Sequence, residues 1–127
     1  MTTLEIQSNR LDDDTVVVAL TGSADISGAA VLDRHLLSIS ARHPKHVVFD
    51  LSGLTFISSL AMGSLMHFRR GCLAWGGRIS IAAANDIVEG ALRHARLDLI
   101  VPIKPTVSSA LAERQPESNP TSMKSGT

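Results

Sequence analysis

The segment His46–Phe68, HVVFDLSGLTFISSLAMGSLMHF, constrains this chain more than any other. Val47–Leu51 is short, apolar and rich in β-branched residues, the composition of a strand buried on both faces of a parallel sheet. Ser52–Ile57 reads as the connection that follows it. From Ser59 onward, Ala61, Leu65, Phe68 and Cys72 fall on one helical face. A buried strand feeding an amphipathic helix through a short link is a unit that completes its core only in an α/β sheet. Ser58 and Ser59 stand at the start of that helix. A helix start presents unpaired N–H groups and the positive end of the peptide dipoles, so a hydroxyl there has two uses. It caps the helix, or it carries a phosphate whose charge that end favours.

The rest of the chain extends the same alternation. Leu4–Ser8 alternates apolar and polar residues, and Thr15–Leu20 is a β-branched run closed by Thr21-Gly22. The acid-rich turn between them is short enough for a hairpin. Ser23–Ser27 reads as a loop. Ala29, Leu32, Leu36 and Ile39 define a first helix that stops before Pro44. Gly76-Gly77 ends the second helix, and Arg78–Ala83 is a further strand. Asn85 or Asp86 caps a third helix that turns Val88, Ala91, Leu92 and Ala95 inward. Leu99–Ile103 reads as the last strand, and Pro105-Thr106 opens a short helix to about Ala112. The order β-β-α-β-α-β-α-β-α implies an α/β domain over residues 1–113, its sheet mixed but mostly parallel with helices packed against it. Residues 114–127 lose all apolar periodicity, and their Pro, Ser, Thr, Asn and Lys content predicts a disordered tail.

Composition narrows the function classes. Twelve basic and twelve acidic side chains cancel, and no Lys/Arg run offers a nucleic acid or an anionic membrane a partner surface. No apolar run approaches the roughly 20 residues that span a bilayer, and the first residues lack the pattern of a secretory signal. One cysteine, Cys72, fits a reducing, cytoplasmic setting and falls on the core face of the second helix as an inert thiol. The five histidines, His35, His43, His46, His67 and His94, show no metal-ligand spacing and read as surface or boundary residues. Neither a phosphate-binding glycine loop nor a nucleophile elbow occurs, so neither catalytic residues nor a cofactor or metal is expected. Asp25 reads as a cap for the first helix. Met62 and Met66 form a second apolar strip on the second helix, which reads as core packing or as an exposed face, with both methionines expected nearer the surface than Ala61, Leu65, Phe68 and Cys72.

Three blocks, LTGSADISGA, VVFDLSGLTFISS and GGRISIAAAND, stand in an order and spacing that resemble the STAS domain of bacterial anti-sigma factor antagonists. The resemblance covers about Thr2 to Leu111 and implies the family's fold. It also implies a partner, an anti-sigma factor of the serine-kinase type, which phosphorylates the serine at the end of the second block. Carried onto this chain, that phosphoacceptor is Ser59, with Ser58 the runner-up. The surrounding contact residues are Asp25, Ser58, Leu60, Met62 and Met66. The motif departs from the family's usual Asp-Ser-Ser-Gly or Asp-Ser-Thr-Gly. Ser58 replaces the Asp, Leu60 the small residue, and Ala61 the Gly.

Three roles follow from that resemblance and its departures. The first is an anti-sigma factor antagonist working by partner switching. The second is a STAS subunit that is not phosphorylated and serves in a stressosome-like or lipid-transport assembly. The third is a small-molecule or nucleotide-sensing module that uses the crevice at the strand ends.

Overall fold

The computed structural model describes residues 3–113. The tail expected over 114–127 lies outside the described residues. Strands β1 (Glu5–Arg10), β2 (Thr15–Ala24), β3 (His46–Ile57), β4 (Arg78–Ala82) and β5 (Ile103–Lys104) form one sheet, adjacent in chain order. β1 and β2 are the expected antiparallel hairpin, and every later pairing is parallel. The helices are α1 (Ile26–Ser40), α2 (Ser59–Ala74), α3 (Asp86–His94) and α4 (Val107–Ala112), with a 3₁₀ turn at Leu97–Leu99.

Strand alternation splits the buried residues between two layers. Val18 and Leu20, Val47, Phe49 and Leu51, and Ile79 and Ile81 face the main core. Against them pack Leu32, Leu36 and Ile39 of α1, Ala61, Leu65, Phe68 and Cys72 of α2, and Val88 and Leu92 of α3. At the centre, the rings of Phe49 and Phe68 meet edge to face with centroids 6.0 Å apart. Burial pushes the Cys72 thiol up to about 12, so it stays protonated and unreactive inside this layer. The opposite face of the sheet carries a smaller cluster. There α4 brings Ala110, Val107 and Leu111 onto Val48, Ala82 and Val17.

Several expectations need correction. Residues 52–57 are not a connection but the second half of β3. The segment Ser23–Ser27 is not a loop either, since β2 runs on to Ala24, Asp25 caps α1, and Ile26 and Ser27 begin it. The two strands keep pairing through Thr21↔Gly53, Gly22↔Leu54, Ser23↔Phe56 and Ala24↔Ile57, with two register shifts. Gly53 permits this, because a Cβ there would stand 2.9 Å from Thr21 Oγ1. The last strand is not 99–103. Leu99, Ile100 and Val101 donate their N–H groups to Arg96 and Leu97 carbonyls. Those local bonds take the groups a strand would offer to β4, leaving Ile103 and Lys104 to pair.

His46 is buried, not at the surface. Its position at the start of β3 turns the ring onto the α4 face of the sheet, where Nε2 lies 2.9 Å from Ser80 Oγ. Met62 is also buried, at 8% exposure, because it follows Ala61 on the side of α2 that meets the main core. Met66 is half-buried and packs on the edge of the same core.

The lower end of α2 closes as the glycine pair predicts. Gly77 N–H donates to Cys72 O at 2.7 Å, and Gly76 takes a left-handed φ of +82°. A Cβ on Gly77 would stand 2.5 Å from Pro44 O, so only glycine fits there. Trp75 beside it donates Nε1–H to the same Pro44 carbonyl at 2.7 Å and stacks on His43.

Candidate functional site

The site is built where β2 and β3 outrun the rest of the sheet. β3 pairs with β4 only as far as Asp50↔Ala82, so residues 51–57 project beyond β4 alongside the end of β2. Three hydrogen bonds fix this ribbon. Thr55 Oγ1 donates to Gly22 O at 2.9 Å, Asn85 Nδ2 donates to Leu54 O at 3.0 Å, and Ser58 N–H donates to Ala24 O at 2.8 Å. The last bond holds the starts of α1 and α2 side by side.

Each helix start at this end has its own cap. Asp25 Oδ1 accepts from Gly28 N–H at 2.8 Å, and Asn85 Oδ1 accepts from Val88 N–H at 2.9 Å. Between the two capping residues left open for α3, the structure selects Asn85 over Asp86. Ser58 Oγ accepts from Ala61 N–H at 3.1 Å and caps α2. The two serines therefore divide the roles. Ser58 satisfies the helix, while Ser59 is the first helical residue, exposed, its hydroxyl without a hydrogen-bond partner among the described residues. Among the described residues, no acidic side chain stands in the first turn of α2, whereas α3 has Asp86 and Glu89 there. Ser58→Ala is expected to cost about 1 kcal/mol of stability through loss of the cap, read from the shift of a urea unfolding midpoint at constant slope.

The remaining sequence-derived positions separate. Asp25 lies next to the serine loop through the Ser58–Ala24 bond, its carboxylate engaged as a cap. Leu60 is exposed beside Ser59, Met62 belongs to the core, and Met66 is half-buried against its edge. Asp50 accepts from Ser52 N–H at 3.0 Å and shapes the start of the ribbon.

Sequence reasoning missed three apolar side chains at this end. Ile26, Phe56 and Ile87 are 72%, 48% and 74% exposed, and with Leu60 at 55% they put exposed apolar side chains at the starts of α1, α2 and α3 and at the end of β3, the same end of the sheet as the serine loop. Two of them carried a signal in the chain. Ile26 directly follows the Asp25 cap, and Ile87 follows Asn85-Asp86, positions at helix starts that do not face a core.

A family model described as "Mlab, STAS domain" matches residues 8–102. The chain belongs to the STAS family. Solved STAS-like structures share its fold at low sequence identity. An anti-sigma factor antagonist from Mycobacterium paratuberculosis superposes with a TM-score of 0.79 at 23% identity, over 87% of this chain and 92% of that one. The anti-sigma factor antagonist SpoIIAA in its unphosphorylated form gives 0.72 at 19% identity, over 84% and 93%. The Bacillus cell fate determinant SpoIIAA in its phosphorylated form gives 0.68 at 16% identity, over 87% and 100%. In this STAS domain, no helix among the described residues is long and apolar enough to cross a membrane. No cluster of three or more His, Cys, Asp or Glu suited to a metal occurs among them either.

Proposed function

We propose that this STAS domain is an anti-sigma factor antagonist whose binding is switched by phosphorylation of Ser59. The observation that carries the reading is the division of labour at the start of α2. Ser58 caps the helix, so the Ser59 hydroxyl is exposed and uncommitted. A phosphate there meets the positive end of α2, where no carboxylate competes for the first-turn N–H groups. Unmodified, the apolar surface of Ile26, Phe56, Leu60 and Ile87 receives the partner. Phosphorylation adds about −1.5 to −2 charges in the middle of that surface and weakens an apolar contact through desolvation. The fold does not need to change. On this reading the domain is a binding module, not an enzyme, and acts in the cytoplasm on a serine-kinase anti-sigma factor.

Incubation with such an anti-sigma factor and ATP, followed by mass mapping, tests the assignment. Wild type is expected to take one phosphate on Ser59, and Ser59→Ala to take none with its melting temperature unchanged. A phosphate on Ser58 overturns the acceptor, and no phosphate on either serine overturns the switch.

A second reading draws on specific observations. Ser58 stands where the resembled motif has an Asp, Leu60 adds exposed bulk beside the acceptor, and the matching family model is described by Mlab. These support a STAS subunit that is not phosphorylated and belongs to a larger stressosome-like or lipid-transport assembly. Pull-downs with and without ATP separate the two. A switching antagonist loses its partner when ATP is supplied, and a constitutive subunit holds it.

A further inference from the structure

A second surface adjoins the serine loop at Leu60 and runs down the outward side of the two packed helices α1 and α2. There a groove of about 570 Å³ is bounded by Asp33, Leu36, Leu37 and Ser40 from α1 and by Leu60, Gly63, His67 and Gly71 from α2, with Trp75 at its lower end. The α1 residues Asp33, Leu37 and Ser40 recur at helical spacing, as do Leu60, Gly63, His67 and Gly71 on α2. They form the outer stripe of each helix and not the core stripe.

The groove has knobs and holes on one face. Leu37 protrudes at 73% exposure. Gly63 and Gly71 are recessed. A Cβ at Gly63 would meet nothing within 4 Å, and at Gly71 it would meet only the Trp75 ring at 3.8 Å. Packing inside the monomer therefore does not call for glycine at either site, although each costs about 1 kcal/mol against alanine inside a helix. Asp33 is the one formally charged residue among the described residues that line the groove, and it forms no ion pair among the described residues.

The levels of these residues follow from the sheet. Ala24 and Ile57 are register partners, and each is followed directly by a helix cap, Asp25 or Ser58. α1 and α2 thus start level and run the same way. Asp33 is the eighth residue of α1 and His67 the ninth of α2; Leu37 is the twelfth and Gly71 the thirteenth. A two-fold axis lying along the groove lays α1 of one copy on α2 of the other and preserves these levels. Asp33 of each copy then faces His67 of the other, whose ring N–H donates to the carboxylate. Leu37 of each copy enters the notch left by Gly71 of the other, against its Trp75.

We propose that this face is a symmetric dimer interface whose occupant is a second copy of the chain. The self-complementary levels of knob with hole and of acceptor with donor carry the inference. It does not depend on the function proposed for Ser59. Two helices about 22 Å long, lying side by side about 20 Å wide, offer roughly 450 Å² per copy, a face suited to weak, reversible association.

Sedimentation velocity on the full chain, from about 1 µM to about 1 mM, covers the range in which such an interface dissociates. Wild type is expected to pass from monomer to dimer, with a change in fluorescence of Trp75, the chain's one tryptophan. Leu37→Asp, at an exposed position, is expected to weaken the dimer by about tenfold or more while leaving circular dichroism unchanged. Asp33→His and His67→Asp are each expected to weaken it, and the two together to restore it, because the swap re-forms the pair across the axis. A chain that stays monomeric at the highest concentration overturns the proposal. So does a dimer indifferent to Leu37→Asp, or a double swap that fails to recover association. A small molecule or an unrelated helix found in the groove of a monomeric chain counts against it equally.

Discussion

Phe49→Ala is expected to destabilise the domain by about 3–5 kcal/mol, the loss typical of a buried aromatic ring and the cavity it leaves. Phe49 is fully buried in the middle of β3, and its ring meets Phe68 of α2 edge to face. The substitution removes the contact between the central strand and the helix that carries the serine loop. Against a total stability of about 5–15 kcal/mol, that loss is a large fraction. At about 4–8 °C per kcal/mol for a domain near this size, the melting temperature falls by tens of degrees. Phe56→Ala provides the contrast, since Phe56 lies on the same strand but is half exposed. Its cost is expected to stay below about 1 kcal/mol. Thermal melts followed by circular dichroism compare the two, and equal losses would place the centre of the core elsewhere.

Leu60→Asp is expected to act in opposite directions on folding and on binding. Leu60 is exposed and is the second residue of α2, a first turn without a carboxylate among the described residues. An aspartate there interacts favourably with the helix dipole and is expected to stabilise the fold by about 0.3–1 kcal/mol. The same charge sits in the apolar surface beside Ser59, and there it is expected to cost about 2 kcal/mol or more of partner affinity, roughly thirtyfold. A melt and a titration calorimetry experiment with the proposed partner, an anti-sigma factor, read the two effects separately. A variant that binds as wild type does would remove Leu60 from the partner surface. Because Leu60 also borders the α1–α2 groove, the titration belongs at concentrations where the chain is monomeric. Leu37→Asp, far from the serine loop, reports on the groove alone.

The serine pair shows where reading residues in order stops. Helical spacing from Ala61 to Cys72 located the start of α2 and marked both Ser58 and Ser59 as able to cap it. Which one does so depends on where β3 ends, and β3 ends where its pairing with β2 ends, at Ala24↔Ile57. Nothing local in residues 52–57 announces a strand, because two register shifts and Gly53 interrupt the alternation. That ribbon exists because β2, some thirty residues earlier, supplies the bonding partners.

The chain by itself determined the element types, their order and the stripes that α1, α2 and α3 turn to the main core. Those follow from apolar spacing, which reports which side of an element leaves water, and from Pro, Gly and capping residues, which act within one turn. Tertiary structure decided which apolar residues near the helix starts are buried and which stay outside. Met62 and Ile87 carry the same local signal of an apolar residue near a helix start. Met62 is buried because it joins Ala61 and Leu65 in the core that α2 shares with α1 and the sheet, and Ile87 is exposed because it lies off the Val88–Leu92 stripe that α3 buries. His46 was settled the same way, since only pairing with β4 brings Ser80 within hydrogen-bond distance of its ring. The level match of Asp33 with His67 and of Leu37 with Gly71 arises from the β2–β3 register, a long-range pairing that spacing along either helix does not encode.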